Sequence, residues 1–364
     1  MRQAPCHSRF MAESPAMRTS CSLDCLFLLF SPSTLAVLTT PTSPETLRYK
    51  IISNGSVGGN EVDTYSTDGH VESVFEFNDR GRGPKIRAAY VFGQDSVPTR
   101  ADVTGVDYFK APVDEHFSVQ AGMARWTSSS EKGDKPAGAF YLINNGAIGP
   151  EIAELVAAFG KSKDGSIKLF PAGEARLAQL ADTTVESHGK KEHVTEFAIT
   201  GLDFTPTTVW LDDNGRFFAA PNKWFAWLRE GWEDANQTLY DLQLKAENAR
   251  FARLAQELAQ HPAYPVAFEH VRVFDSAQAV MREDQTVVVD GERIEVVGGA
   301  STVTVPSNAE HVDGKGQTLI PGLFDMHVHV QAVDGILHMA SGVTSVRDMG
   351  NDIDEIQRLQ DQWD

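Results

Sequence analysis

The stretch Leu319-Ile320-Pro321-Gly322-Leu323-Phe324-Asp325-Met326-His327-Val328-His329-Val330 decides how the rest of the chain is read. An apolar run turns at Pro321-Gly322, re-enters an extended segment and brings in His327 and His329 two residues apart. Side chains alternate across a strand, so these two imidazoles project from the same face. Two neutral ring nitrogens held side by side are half of a metal site. An isolated H-x-H is also compatible with two surface groups, and the flanking text separates the readings.

Upstream, Val266–Asp275 reads as a strand, Thr286–Val297 as a hairpin turning at Asp290-Gly291, and Gln317–Ile320 as a short strand leading into Pro321-Gly322. Downstream, a short helix around Ile336 to Ala340 leads to Ser341-Gly342-Val343-Thr344-Ser345-Val346-Arg347-Asp348-Met349-Gly350. Asp352 is placed to cap a further helix whose apolar stripe is Ile353, Ile356, Leu359 and Trp363.

In this order and spacing, from about Tyr264 to Gly350, the chain resembles the metal-dependent amidohydrolases of the imidazolonepropionase-like and prolidase-like kind. The resemblance implies that the histidine strand opens a (β/α)8 barrel, preceded by part of a small β-sandwich. It implies a divalent metal, in the first instance zinc, held by His327 and His329 at the end of that strand. In that family the metal polarises a carbonyl and lowers the pKa of its bound water towards ~7. Asp325 takes a supporting role, orienting the loop or a ligand histidine, and Arg347 and Asp348 lie at the end of the second strand as a structural ion pair. The family's other ligands and its proton-transfer aspartate come from later strands and have no counterparts here. A full barrel takes about 250 residues, against the 42 from Leu323 to Asp364. The expectation is therefore the first two βα units (323–364) of a hydrolase acting on carbon-nitrogen bonds, non-peptide or dipeptide-like, in a small-molecule substrate. As given, the chain is expected to hold metal weakly and to be inactive by itself.

Composition agrees with a globular protein: 364 residues, 41% hydrophobic and 23% charged. A net charge of -18 argues against nucleic acid and anionic membrane surfaces, because an acidic chain gains nothing from counterion release at phosphate. The three cysteines, Cys6, Cys21 and Cys25, all fall in the first 25 residues. The apolar run from Leu23 to Leu38 is interrupted by Asp24 and Pro32, too short to span a membrane. With Arg2, Arg9 and Arg18 in front, residues 1–46 read as a signal-like or disordered tail, which points to export to the periplasm or outside the cell.

Residues 47–231 read as one β-rich domain. Val71, Phe75 and Phe77 share one face of a strand and Glu72 and Glu76 the other, with Ser73 and Val74 breaking the alternation. The turns Asn54-Gly55, Gly58-Gly59 and Asp68-Gly69 suit tight hairpins, and Asn214-Gly215 between apolar runs is the strongest such signal. Asn78-Asp79-Arg80-Gly81-Arg82-Gly83-Pro84 is basic and glycine-rich, but it neither opens a helix nor follows P-loop spacing, so it reads as a solvated turn. A helix from about Gly149 to Phe159 carries Ile152, Leu155 and Val156 on one stripe. His70, His116, His188 and His193 read as surface residues. Such a curved sheet encloses an apolar ligand or serves as a docking surface, which gives a second functional reading: an exported binding module.

From Trp224 to about Gln260 the pattern turns helical, with Leu244, Phe251, Leu254 and Leu258 on one stripe, and His261-Pro262 ends it. This segment (232–262) connects to a β-sandwich part (263–322). The expected fold class is thus α+β multidomain: an N-terminal antiparallel β domain, a small β-sandwich, and the truncated start of a (β/α)8 barrel.

Overall fold

Period-two alternation of apolar and polar residues over the first hundred structured positions gives eight consecutive strands in the computed structural model: β1 (Glu45–Ser53), β2 (Ser56–Tyr65), β3 (His70–Phe77), β4 (Lys85–Phe92), β5 (Pro98–Val106), β6 (Pro112–Gln120), β7 (Met123–Thr127) and β8 (Lys132–Pro136). The structure describes residues 41–143, 148–331, 333–351 and 353–361. Residues 1–40 of the signal-like or disordered tail read over 1–46, the three cysteines, Asp352 and Trp363 lie outside these. Each strand hydrogen-bonds antiparallel to the next. Asn54 (φ 48°) and Gly55 (φ 75°) both adopt the left-handed conformation that the two-residue turn between β1 and β2 requires.

After β9 (Phe140–Tyr141) and helix α1 (Ile148–Lys161), the meander resumes with β10 (Ser166–Phe170), β11 (Glu174–Ser187), β12 (Lys190–Thr200), β13 (Thr207–Asp212), β14 (Phe217–Ala220) and β15 (Phe225–Arg229). β15 pairs with β1, joining the two runs into one sheet of fifteen strands. The sheet curls until its ends approach each other. Phe117 on β6 stacks on Tyr141 at 4.6 Å, Trp126 on β7 lies 5.3 Å from Phe170, and Lys135 Nζ donates to Pro171 O at 2.7 Å. The concave face collects Ile51, Phe75, Ile86, Tyr90, Val103 and Phe117, all buried; removing each such side chain from water contributes ~1.5–3 kcal/mol.

α1 lies within this curl and is buried all round from Gly149 to Phe159. The single apolar stripe expected from the sequence understates it: Ala153, Ala157 and Ala158 close the remaining faces, and even Glu151 (6% exposed) and Glu154 (9%) are inside. Its first turn meets two buried carboxyls of β2. Gly149 N donates to Glu61 Oε1 at 3.2 Å, and a Cβ on Gly149 would stand 2.8 Å from Asp63 Oδ2. Carboxyls at a helix N-terminus complement its unpaired amides and its dipole. Ser73, the residue that broke the alternation of β3, donates from Oγ to Asp63 Oδ1 at 2.5 Å.

The helical onset expected at Trp224 is overturned, because Phe225–Arg229 is a strand. Its aromatic and branched residues alternate: Phe225 and Trp227 face the concave core, while Ala226 and Leu228 join a second core with Trp210, Phe218 and Leu239. A strand buried on both faces reads as a continuous apolar run, which periodicity alone does not separate from a buried helix. Helix α2 (Asn236–Leu258) follows a 3-10 turn. Of its expected stripe, Leu244, Phe251 and Leu254 are half-buried and Leu258 is 62% exposed, while Leu239, outside that stripe, is buried.

The remaining strands are β16 (Val266–Asp275), β17 (Val280–Asp290), β18 (Arg293–Gly299), β19 (Glu310–Asp313), β20 (Thr318–Leu319), β21 (Leu323–Val328) and β22 (Val343–Asp348), with helices α3 (Asp334–Ala340) and α4 (Ile353–Asp361). β16 to β20 form one five-stranded sheet, and β21 and β22 a separate parallel pair. The expected α+β class with a (β/α)8 barrel start is therefore corrected. The protein is predominantly β, dominated by the fifteen-stranded sheet, and the described residues contain no (β/α)8 barrel. Closure of such a barrel requires every strand to be paired on both edges, whereas β21 and β22 pair only with each other. A sandwich likewise needs a second sheet face to face, and Ile294 (67% exposed) and Val297 (47%) on β18 meet none.

Candidate metal centre

The two histidines enter through a β21-α3-β22 unit whose geometry follows from its glycines and one carboxylate. Gly322 precedes β21 where a Cβ would come within 2.0 Å of Thr344 Oγ1 on β22, so the Pro-Gly turn is a packing requirement. Gly342 (φ 77°) ends α3, and its carbonyl accepts from Leu323 N at 2.8 Å, setting the parallel register. At the end of β21, Val328 is buried against Val330 and Leu359, while His327 in the strand and His329 just beyond it are exposed.

His327 and His329 lie together, their ring centroids 5.5 Å apart at an interplanar angle of 76°. His329 Nδ1 is 2.8 Å from the backbone oxygen of Gly350. A carbonyl only accepts, so Nδ1 carries the hydrogen, and the neutral ring presents Nε2 as its lone-pair nitrogen.

Asp348 ties the ends of the two strands. Its Oδ2 accepts from Val330 N at 2.8 Å and Asn351 Nδ2 at 3.1 Å, and its Oδ1 accepts from Gly350 N at 2.9 Å. Partial burial works against its charge, but these hydrogen bonds prevail and hold it below the usual carboxylate range. The partners of Asp348 are thus amide N–H groups, in place of the ion pair expected with Arg347; neighbours in a strand point to opposite faces, and Arg347 is exposed. Asp325 Oδ1 accepts from His327 N at 3.1 Å, bracing the backbone beside the pair. Asn351, whose Nδ2 also donates to Val330 O at 2.7 Å, was not singled out from the sequence. A lone Asn after the Asp-Met-Gly string carries no periodic signal.

The two rings suit a divalent cation chemically, as paired imidazoles of which one has its tautomer set. They do not make a whole site: among the described residues no group of three or more His, Cys, Asp or Glu side chains is gathered to hold an ion. Catalytic zinc takes three protein ligands and structural zinc four. His116 and His193 lie apart on the β-rich sheet, each against a carboxylate, Asp102 at 2.7 Å and Asp213 at 2.6 Å. Among the described residues no helix is long and apolar enough to cross a membrane.

No family model matches the chain, and no curated protein does. Among solved structures, a putative prolidase from Bifidobacterium longum is 27% identical over 28% of this chain and 27% of its own, with a TM-score of 0.25. Phenylurea hydrolase B is 26% identical over 27% of each chain, with a TM-score of 0.23. A β-barrel-like protein of a domain of unknown function from Brucella abortus is 12% identical over 51% of this chain and 94% of its own, with a TM-score of 0.34. The chain spans about 27% of the length of the prolidase.

Proposed function

We propose that residues 323–351 supply the first two ligands, His327 and His329, of a metal-dependent centre that hydrolyses carbon-nitrogen bonds of the non-peptide or dipeptide-like kind. The observation that carries this reading is the pairing of the rings at 5.5 Å on an exposed strand end, with His329 Nδ1 committed to Gly350 O. The order of motifs around them, Pro321-Gly322 before and Gly342-Val343-Thr344 with Arg347-Asp348 after, supports it. A bound divalent cation, zinc in the first instance, would supply Lewis-acid chemistry. The chain's own part is positional: Asp348 fixes the Val330 and Gly350 amides, Gly350 O fixes the His329 tautomer, and Asp325 braces His327.

The test is an assay of the purified chain with zinc, cobalt or manganese against dipeptides and urea- or carbamate-type substrates, beside His327→Ala. Metal-dependent amine release lost in the variant supports catalysis in full. Zinc binding without turnover supports the metal-holding role with two ligands only. Neither binding nor turnover contradicts the reading.

A further inference from the structure

A second site lies in the curled sheet, away from the histidines. Between β3, β4, β15 and α1 is a cavity of about 780 Å³, within the ~300–1,000 Å³ range of small-molecule sites. Phe75 stacks on Trp227 at 5.6 Å, Phe77 meets Phe225 edge-on at 4.5 Å, Phe225 meets Trp227 at 4.6 Å, and Ile86 and Ile152 adjoin them. Such a wall gains from covering any apolar body, so the class of occupant is decided by the polar groups among the lining residues.

The charges at the mouth are already engaged. Arg80 is the one cation among the lining residues, 86% exposed at its side chain, and it lies 3.6 Å from Asp79. Asp79 is also met by Arg82 at 3.2 Å and by the hydroxyl of Tyr108. Asp107, the second carboxylate of the mouth, accepts the amides of Phe109 and Ala111, both at 2.8 Å. An anionic head therefore meets more carboxylates than cations there, and the one cation is screened by solvent. The inner end is different. Glu151 of α1 lines it, 6% exposed, and its Oε1 accepts from Ile143 N at 2.7 Å, while among the described residues Oε2 has no hydrogen-bond partner. Burial pushes this carboxyl up to about 8 against the hydrogen bond from Ile143 N, and Glu115 nearby adds to the rise, so at neutral pH it is the uncharged acid. With Oε1 turned to the amide, the acid hydrogen belongs to Oε2. A desolvated donor of this kind is costly to leave without an acceptor.

We propose that this cavity binds an uncharged, single-chain aliphatic molecule ended by one hydrogen-bond-accepting oxygen, its chain along the Phe75, Phe77, Phe225 and Trp227 wall and its oxygen accepting from Glu151 Oε2. A hydroxyl or carbonyl oxygen completes the buried acid and carries no ionised group past the aromatic rings. A carboxylate or phosphate brought to the same depth would stand beside Glu151 with no cation to balance it. An ammonium offers the acid no acceptor, and it would leave water for a carboxyl that is not ionised. This inference does not depend on the hydrolase reading.

The test uses 1-decanol, 2-decanone, decanoate and decylammonium as probes, titrated at neutral pH into the whole chain and followed by the tryptophan fluorescence to which Trp224 and Trp227, both lining the cavity, contribute. Decanol and decanone should bind saturably at one per chain, and both ions roughly fivefold or more weaker, because an ionic head held at the mouth leaves Glu151 unpaired. Shortening the alcohol should weaken binding by roughly fourfold per methylene lost. Glu151→Gln, which keeps an acceptor for Ile143 N and a donor beside it, should bind decanol like the parent, whereas Glu151→Leu should weaken decanol and decanone by roughly fivefold. Ile152→Phe, which fills the cavity, should weaken both, and Phe324→Ser, on the exposed part of β21, should leave both unchanged. Either ion binding as tightly as decanol in the parent, a folded Glu151→Leu chain that binds decanol like the parent, a loss in Phe324→Ser with none in Ile152→Phe, or no saturable binding overturns the proposal.

Discussion

His329 Nδ1 lies 2.8 Å from the carbonyl oxygen of Gly350, so the backbone that leaves β22 orients the ring that leaves β21. The contact spans two strands that share no antiparallel turn, and it persists because Asp348 holds the amides of both Val330 and Gly350. Asp348→Ala should therefore loosen the ring without touching it. Partners one step removed from a metal are typically worth roughly 10–100-fold in affinity, and a zinc titration should show a loss in that range. Unchanged affinity would separate Asp348 from the site.

Gly322 is the tightest point of the same unit, since a Cβ there would meet Thr344 Oγ1 at 2.0 Å. Overpacking of this kind costs about 1–3 kcal/mol. Gly322→Ala should speed amide hydrogen exchange over β21 and β22, and adding Thr344→Gly, which removes the Oγ1, Cγ2 and Cβ atoms that the new methyl would meet within 2.8 Å, should restore protection. If the single variant exchanges like the parent, the Pro-Gly turn is not set by packing.

Burial raises the carboxyls inside the curled sheet: Glu151 from its ordinary 4.5 to about 8, and the pair Glu61 and Asp63 in the same direction. An acid whose folded pKa lies above its unfolded value binds its proton more tightly in the folded state. Stability is then fully present below about pH 4.5 and is lost as the pH rises through about 8. At about 1.4 kcal/mol per pKa unit, the loss attributable to Glu151 is on the order of a few kcal/mol. Urea denaturation at pH 5 and pH 8 should show it, and Glu151→Gln, which keeps an acceptor for Ile143 N, should flatten the dependence. Parallel curves for parent and variant would refute a buried, proton-holding Glu151.

The faces of β21 and β22 expose large apolar groups, Phe324 at 71%, Met326 at 54% and Val346 at 38%, with Ile353 of α4 at 67%. Contiguous apolar surface of this kind drives association. Sedimentation should show self-association that rises with concentration and falls in Phe324→Ser, Met326→Ser. A monomer at all concentrations would mean this face is not adhesive.

Local patterns carried much of this architecture, and long-range pairing carried the rest. The Asn54-Gly55 turn and the alternation of β3 are readable because each depends on neighbours in sequence. The pairing of β1 with β15, Tyr49 opposite Arg229, joins residues 180 apart in sequence and leaves no local trace. The same holds for Ser73, which looks like a defect in its strand until Asp63 is seen across the ladder. α1 misled because its glutamates mimic a wet face, although Glu151 and Glu154 are buried inside the curl, which raises both carboxyls. That the rings of His327 and His329 lie side by side followed from their spacing, whereas the orienting carbonyl and Asn351 depend on how the segment after β22 folds back. The barrel was overread, because strand motifs specify a local unit and leave its edges unspecified.

Equilibrium dialysis of zinc against the parent chain and against the double variant His327→Ala, His329→Ala tests the paired-imidazole centre most directly. The expected result is one zinc per parent chain, weaker than a three-ligand site, reduced at least tenfold by either single substitution and absent in the double variant. Equal zinc retention by parent and double variant would contradict it.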